Sequence, residues 1–280
     1  MREPPAFPRR WKINSAALIA ETFSSRIWKV FGADGSVAVV KALKPFDDVE
    51  DELRGAHFLK WRDGEGAVRL LGRDRRKMLL EYGGERLLTT VLDAEGDEAA
   101  TEVAADVLAR LHHPSNRPAP PQLQPLRERF AALFGMAETA GETRHCSIYV
   151  EAAKLAVSLL DDSRTEVPLH GDLHHDNIVL GQRGWLAIDP KGVLGDPGFD
   201  AANLFYNPLD RDALCGDPER IERMAQTLSR TLKQDPRRLL DHAFAYGCLS
   251  AAWHGEDGNA KDESREISVA RSIRTVRANF

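Results

Sequence analysis

The sequence predicts an α+β protein of two lobes, a small antiparallel β lobe followed by a larger, mainly helical lobe that contains a β-hairpin. Three observations predict it. Short β-branched runs separated by turn residues fill the first third of the chain. Helical periodicities fill most of the rest. Among those helices lies one β island, Ile178–Leu180 and Trp185–Ile188, flanking the turn Gly181, Gln182, Arg183, Gly184, the pattern of a hairpin with a four-residue loop.

The elements follow in order. Residues 18–31, LIAETFSSRIWKVF, read as two strands around a Ser/Thr turn. GADGS (32–36) is a turn signal and VAVVKAL (37–43) a β-branched strand, so the three strands make an antiparallel meander. Residues 47–61 have the acid-rich first turn of a helix, capped by Asp47 or Asp48, with Leu53, Ala56 and Lys60 at helical spacing. AVRLLGRDRRKMLLEY supplies two more strands around Arg73–Arg76, and Tyr82-Gly83-Gly84 breaks the run. The expected division is therefore an N-terminal lobe over 1–83 and a C-terminal lobe over 84–280. In the latter, Val103, Val107 and Leu111 mark a helix stopped by Pro114, a proline-rich connection covers 114–125, and 148–160 is a further helix. Asp235-Pro236 is a cap followed by a first-turn proline. Leu239, Ala243, Tyr246, Leu249 and Trp253 then trace one apolar helical face.

Composition narrows the function classes. The chain is 42% hydrophobic and 29% charged with a formal net charge of −5. That is a globular mixture without the clustered basic surface of a nucleic-acid binder; mild acidity suits a cationic small substrate. Cys146, Cys215 and Cys248 are odd in number and form no C-x-x-C pair, against a disulfide framework or a thiolate zinc site. The N-terminus has no apolar signal-peptide core and no window suits a membrane span. The expectation is a cytoplasmic protein with no membrane attachment and no obligate protein partner.

The chemistry concentrates in HGDLHHDN, residues 170–177. Adjacent histidines such as His174 and His175 point differently along a backbone and make a poor shared zinc site; His170 is expected to orient the loop through hydrogen bonds. The hairpin places Asn177 at the start of one strand and Asp189 just past the other, with Asp172 on the loop leading in. Oxygen donors of this kind suit Mg²⁺. The spacing D-x-x-x-x-N matches a kinase catalytic loop, in which the Asp accepts the proton of the attacking hydroxyl, and the Asn and a later Asp hold magnesium. That template also requires a strand lysine paired with a helix glutamate. Lys41 and Glu52 occur in that order, with Lys44, Glu50 and Asp51 as rivals. Ser24 and Ser25 sit in the turn where a phosphate-covering loop belongs, without its glycines. In LLEYGG (79–84), the extended backbone at Glu81 and Tyr82 is placed to meet an adenine edge.

Carrying HGDLHHDN, IDP (188–190) and GDPGFDAANL (195–204), the chain resembles the aminoglycoside phosphotransferase family, with its protein-kinase-like fold. HGDLHHDNI, RGWLAIDPKG, FDAANLFYNP and LSAAWHGEDG resemble in particular the streptomycin 6-kinase and hydroxyurea-kinase branch, and weaker similarity runs through DELRGAHFLKW and GEGAVRLL. The resemblance implies ATP-dependent, Mg²⁺-assisted phosphorylation of a small-molecule hydroxyl, most simply the 6-hydroxyl of streptomycin, conferring resistance. By this match Asp172 is the base, Asn177 and Asp189 the metal ligands, and Lys41 and Glu52 the phosphate-binding pair. Gly171 where protein kinases carry arginine, Pro190-Lys191 after Asp189, and no long activation segment disfavour a protein substrate. A sugar or amino-alcohol kinase of the same fold, or a non-catalytic nucleotide-binding relative, are the alternatives. Asp196 is expected to accept N–H bonds from the catalytic loop and Asp200 to cap the following helix. Trp253, Glu256 and Asp257 are candidates for the cationic groups of the substrate, against the plainer reading of a core tryptophan and an acidic helix end.

Overall fold

The computed structural model describes residues 3–45, 49–143, 147–162 and 166–280; the expected caps Asp47 and Asp48, and Cys146, lie outside the described residues. The first sheet contains β1 (Ile13–Glu21), β2 (Ser25–Gly32) and β3 (Val37–Leu43), then, after helix α1 (Glu50–Arg62), β4 (Leu70–Asp74) and β5 (Lys77–Glu81). All neighbours are antiparallel, in the order β1-β2-β3-β5-β4. Side chains of β3 alternate with the pleat. Ala38 and Val40 join Trp28 and Val30 in a cluster closed by Phe7 and Trp11 of the N-terminal segment. On the other face Leu43 packs with Met78 and with Ala56 of α1, while Val39 and Lys41 line a cavity.

Beyond Gly84 the chain enters other sheets. β6 (Arg86–Leu87) pairs with β9 rather than with the first sheet. There follow α2 (Thr89–Glu95), α3 (Asp97–Leu111), β7 (Gln124–Pro125), α4 (Leu126–Arg129), α5 (Ala131–Thr143), α6 (Ile148–Asp161), β8 (Val167–Leu169), β9 (Ile178–Gly181), β10 (Gly184–Ala187), β11 (Val193–Gly195), α7 (Gly198–Ala202), α8 (Asp212–Cys215), α9 (Pro218–Leu232), α10 (Pro236–Glu256) and α11 (Ala260–Arg277). Two three-stranded sheets, β10-β9-β6 and β7-β11-β8, frame the segment from 169 to 195.

Asp235 caps α10 by accepting the Arg237 N–H at 2.7 Å. The expected apolar face is buried at Leu239, Ala243, Tyr246 and Leu249, but so are Leu240, Phe244, Ala245 and Cys248. The helix runs through the middle of the lobe, and a helix surrounded on all sides needs apolar residues on all sides. The main core also takes in Phe58, Leu59, Ala67 and Val68 from the first lobe. The two lobes therefore meet over apolar contacts. Among the described residues no helix is long and apolar enough to cross a membrane.

Candidate active site

The β9–β10 hairpin builds the site. Its register pairs Gly181 with Gly184, so the loop is Gln182-Arg183 alone, two residues rather than the expected four. Gly184, at φ +87°, supplies the left-handed conformation that closes it. At the open end the Ile188 N–H donates to the Asn177 carbonyl at 2.9 Å. Asn177 and Asp189 are thereby brought to the wall of one cavity of about 340 Å³. Asp189 takes φ +59°, a conformation that costs a non-glycine residue roughly 1–3 kcal/mol and is held by its surroundings.

The segment that begins at His170 is pinned from below. The carboxylate of Asp200 accepts the backbone N–H of His170 at 2.9 Å and of Gly171 at 2.7 Å, and lies 3.1 Å from His112 Nε2. This is the role expected of Asp196. Asp196 instead accepts the Gly198 N–H, and binds Gln234 and Arg238, at the start of α7 and against α10. The assignments reverse because Asp200 lies inside α7, one turn further in, and faces back toward residue 170. Burial makes ionisation of Asp200 costly, yet His112 and the Gly171 amide hold its pKa below the ordinary carboxylate value.

His170 is fully buried, and burial pushes its pKa down, so the ring is neutral. Its Nε2 donates to the Ile188 carbonyl at 2.8 Å and its Nδ1 accepts the Asp172 N–H at 3.2 Å. One imidazole thus ties the loop to the end of the hairpin. Gly171 has φ +81° and an added Cβ would meet Val193 at 2.7 Å, so no side chain fits there. The three histidines diverge: His174 Nδ1 accepts from Asp176 N at 3.3 Å, and His175 is buried.

The Asp172 carboxylate is held by two amides. Asn203 Nδ2 donates to Oδ1 at 3.0 Å. Asn177 Nδ2 donates to the Asp172 carbonyl at 2.9 Å and stands 3.4 Å from Oδ2. Asn207 Nδ2 in turn donates to Asn203 Oδ1 at 2.8 Å, which turns the Asn203 NH₂ group toward Asp172. Asn203 and Asn207 were not among the sequence candidates. The signal was D-A-A-N, which places Asp200 and Asn203 three apart on one helical face.

Across the cavity, Lys41 is buried and pairs with both Glu52 and Asp189. Lys191 joins them, its Nζ 3.4 Å from Glu52 Oε1 and 3.4 Å from Asp189 Oδ2. Burial opposes ionisation of Asp189, but the two lysines hold its pKa well below the usual carboxylate range. The rivals turn elsewhere: Lys44 pairs with Glu21 at 3.1 Å, Glu50 is exposed, and Asp51 pairs with Arg54 and Arg129. Helix α1 reaches this spot because Gly55 lies directly against the Pro190 carbonyl, where a Cβ would collide.

Ser25 lines the cavity, and the Ser24 hydroxyl donates to Glu52 Oε1 at 3.0 Å. Glu81, Tyr82, Gly83 and Gly84 line its far end. The Glu81 carboxylate is committed to Arg183 at 2.6 Å and the Tyr82 hydroxyl to Glu85 at 2.7 Å. Trp253 and Glu256 border a second, more open cavity with Asp51, Glu128 and Arg129. The guanidinium of Arg129 already stacks on Trp253, 4.8 Å from the ring centre. Asp257 stands apart from that cavity, exposed, its N–H donating to the Trp253 carbonyl at 3.0 Å.

Fold and comparisons together define a phosphotransferase that acts on hydroxyl groups, on a protein-kinase-like scaffold. The chain belongs to the aminoglycoside/hydroxyurea antibiotic resistance kinase family, whose model matches residues 10–258. It is 37% identical to streptomycin 3''-kinase of Klebsiella pneumoniae, over 93% of this chain and 96% of that one. It is 31% identical to streptomycin 6-kinase of Streptomyces griseus (94% and 86%) and 32% identical to hydroxyurea phosphotransferase of Kitasatospora aureofaciens (95% and 76%). Among solved structures it is similar to Plasmodium vivax ethanolamine kinase, with TM-score 0.65 at 13% identity over 96% of this chain and 84% of that one. An aminoglycoside phosphotransferase in ternary complex with AMP-PNP and hygromycin B gives 0.59 at 13%, covering 94% of each. At such identities the likeness is one of fold.

Proposed function

We propose that this protein transfers the γ-phosphoryl group of ATP to a hydroxyl of streptomycin and so inactivates it. The observation that supports the reading best is that Asn177 and Asp189 share a wall with the Lys41–Glu52 pair, while Asp172 is hydrogen-bonded to Asn177. In this reading residues 1–83 hold the nucleotide and 84–280 carry the catalytic loop and the acceptor. The backbone at Glu81 and Tyr82 meets the adenine, since both side chains are engaged elsewhere. Lys41, oriented by Glu52, contacts phosphate oxygens, and the Ser24–Ser25 turn covers them.

The donor set fits a hard cation. Asn177 spends its Nδ2 on Asp172, leaving Oδ1 to offer, and Asp189 brings a charged carboxylate. Asn177 and Asp189 would hold Mg²⁺, which when bound neutralises charge on the phosphate oxygens. Asp172 Oδ1 is fixed by Asn203, so Oδ2 takes the proton of the attacking hydroxyl. The acceptor oxygen bonds to the γ-phosphorus as the bond to the bridging oxygen breaks, and ADP leaves with that electron pair. Positioning and charge stabilisation supply most of the acceleration in such transfers.

The relatives are named for two positions on streptomycin. The higher identity of the 3''-kinase, 37% against 31%, and the larger share of its own length that is matched favour the 3'' hydroxyl over the expected 6-hydroxyl. Incubation of streptomycin with the protein and Mg-ATP should add one phosphate by mass spectrometry, and phosphorus–proton NMR of the product assigns the position. Asp172→Ala should abolish transfer while keeping the fold. A wild-type protein that leaves streptomycin and related aminocyclitols unchanged would refute the substrate assignment.

A further inference from the structure

The geometry points to Lys191 as a catalytic residue, a second ammonium that contacts the γ-phosphoryl oxygens while Lys41 holds the phosphates behind them. The inference rests on the reading of Asp172, Asn177 and Asp189 given above. Lys41 takes Glu52 Oε2 and Asp189 Oδ1, and Lys191 takes the complementary oxygens, Glu52 Oε1 and Asp189 Oδ2. Each carboxylate is therefore shared by both lysines. The contacts are unequal. Lys41 is in close hydrogen-bond contact with both acids, whereas Lys191 stands at 3.4 Å from each, beyond the ~2.7–2.9 Å of a charge-assisted hydrogen bond. A carboxylate that turns an oxygen toward a cation weakens its hold on the ammonium groups around it, and Lys191 is the looser of the two. Among the described residues, no other lysine or arginine is ion-paired with Asp189.

Backbone contacts fix the point from which the Lys191 side chain extends. The Lys191 N–H donates to the His170 carbonyl at 2.7 Å, and the Gly192 N–H to the same oxygen at 3.2 Å. Gly192 packs against the Arg54 backbone, where an added Cβ would lie 2.6 Å from the carbonyl oxygen. The lysine is thus anchored to the catalytic loop two residues before Asp172, and Asp172 and Asp51 act on its charge along with Asp189 and Glu52. Its Nζ is held beside Glu52 and Asp189, two acids that line the cavity, and within electrostatic reach of Asp172. A phosphoryl group in transfer carries its charge on three equatorial oxygens, and a cation already in place acts without reorganisation.

Calorimetric titration of Mg-ADP and Mg-AMP-PNP into wild type, Lys191→Met and Lys41→Met tests this. Lys191→Met should bind Mg-ADP as wild type does and Mg-AMP-PNP about tenfold or more weakly, the loss expected for one charged hydrogen bond. Lys41→Met should weaken both nucleotides. With streptomycin as acceptor, Lys191→Met should lower kcat with little change in acceptor KM, and Lys191→Arg should recover part of it. If Lys191→Met weakens both nucleotides alike, or changes only the melting temperature, the ion pair is structural and the assignment is wrong. A wild type that binds neither nucleotide overturns the reading of the site itself, and Lys191 with it.

Discussion

Asn203 donates its amide to Asp172 at 3.0 Å from a position thirty-one residues further along the chain. The bond fixes Oδ1, while Oδ2 has only the longer 3.4 Å contact from Asn177 and is the oxygen proposed to take the proton. Asn203→Leu should therefore lower kcat by about ten- to a hundredfold, the cost of one lost orienting hydrogen bond at a reacting group. Mg-ADP affinity, read by calorimetry, should stay at the wild-type value.

Asp200 supports the loop by accepting two backbone N–H groups. Asp200→Asn keeps the volume but loses the charge and one acceptor, and leaves His112 without its acid. Breaking such a buried cluster should cost about 3–5 kcal/mol by urea unfolding. The residual folded protein should show a lower kcat as well, because His170 and Gly171 lose their anchor. Asp196→Asn, placed farther from Asp172, should cost stability with a smaller effect on kcat.

Acid should expose the Asp196 contribution. Burial works against its ionisation, but His242, Arg238 and the Gly198 amide hold its pKa well below the ordinary carboxylate value. A depressed folded pKa means that the unfolded chain binds the proton first. The stabilisation is then complete above the unfolded pKa of about 3.9 and is lost as pH falls from there toward the folded value. The stability gap between wild type and Asp196→Asn, measured by urea titration, should be constant from pH 5 to 7 and shrink progressively as pH falls below 4.

Gly55→Ala adds one methyl group where helix α1 touches the Pro190 carbonyl. Overpacking of this kind costs roughly 1–3 kcal/mol. Because both partners flank the site, the same change should separate Lys41–Glu52 from Asp189 and depress kcat more than the stability loss accounts for. Ala104→Gly, buried in helix α3 and not part of the cavity lining, is the control: it should destabilise the fold without the added loss in turnover.

Local spacing carried much of this architecture. VAVVKAL is β3 at its exact expected bounds, and HGDLHHDN with IDP marked the segment that the hairpin folds into one corner. Contacts between distant segments were less legible. Asp196 and Asp200 are both acids beside a helix start, and only the packing of α7 shows which one faces residue 170. Asn203 and Lys191 lay inside quoted motifs, yet nothing in their neighbours' types says that one reaches Asp172 and the other Glu52. Glycine at 55 reads as a weak helix residue, and its reason appears only when Pro190 is seen against it. Trp253, a candidate for the substrate's cationic groups, already carries the Arg129 guanidinium over its ring, a contact between distant segments that spacing does not show.

The direct seating of α1 on the segment after Asp189, through Gly55 on Pro190 and Arg54 on Gly192, leaves no clearance between them. Moving the helix outward would open this seam and part the buried Lys41–Glu52 pair at the same stroke.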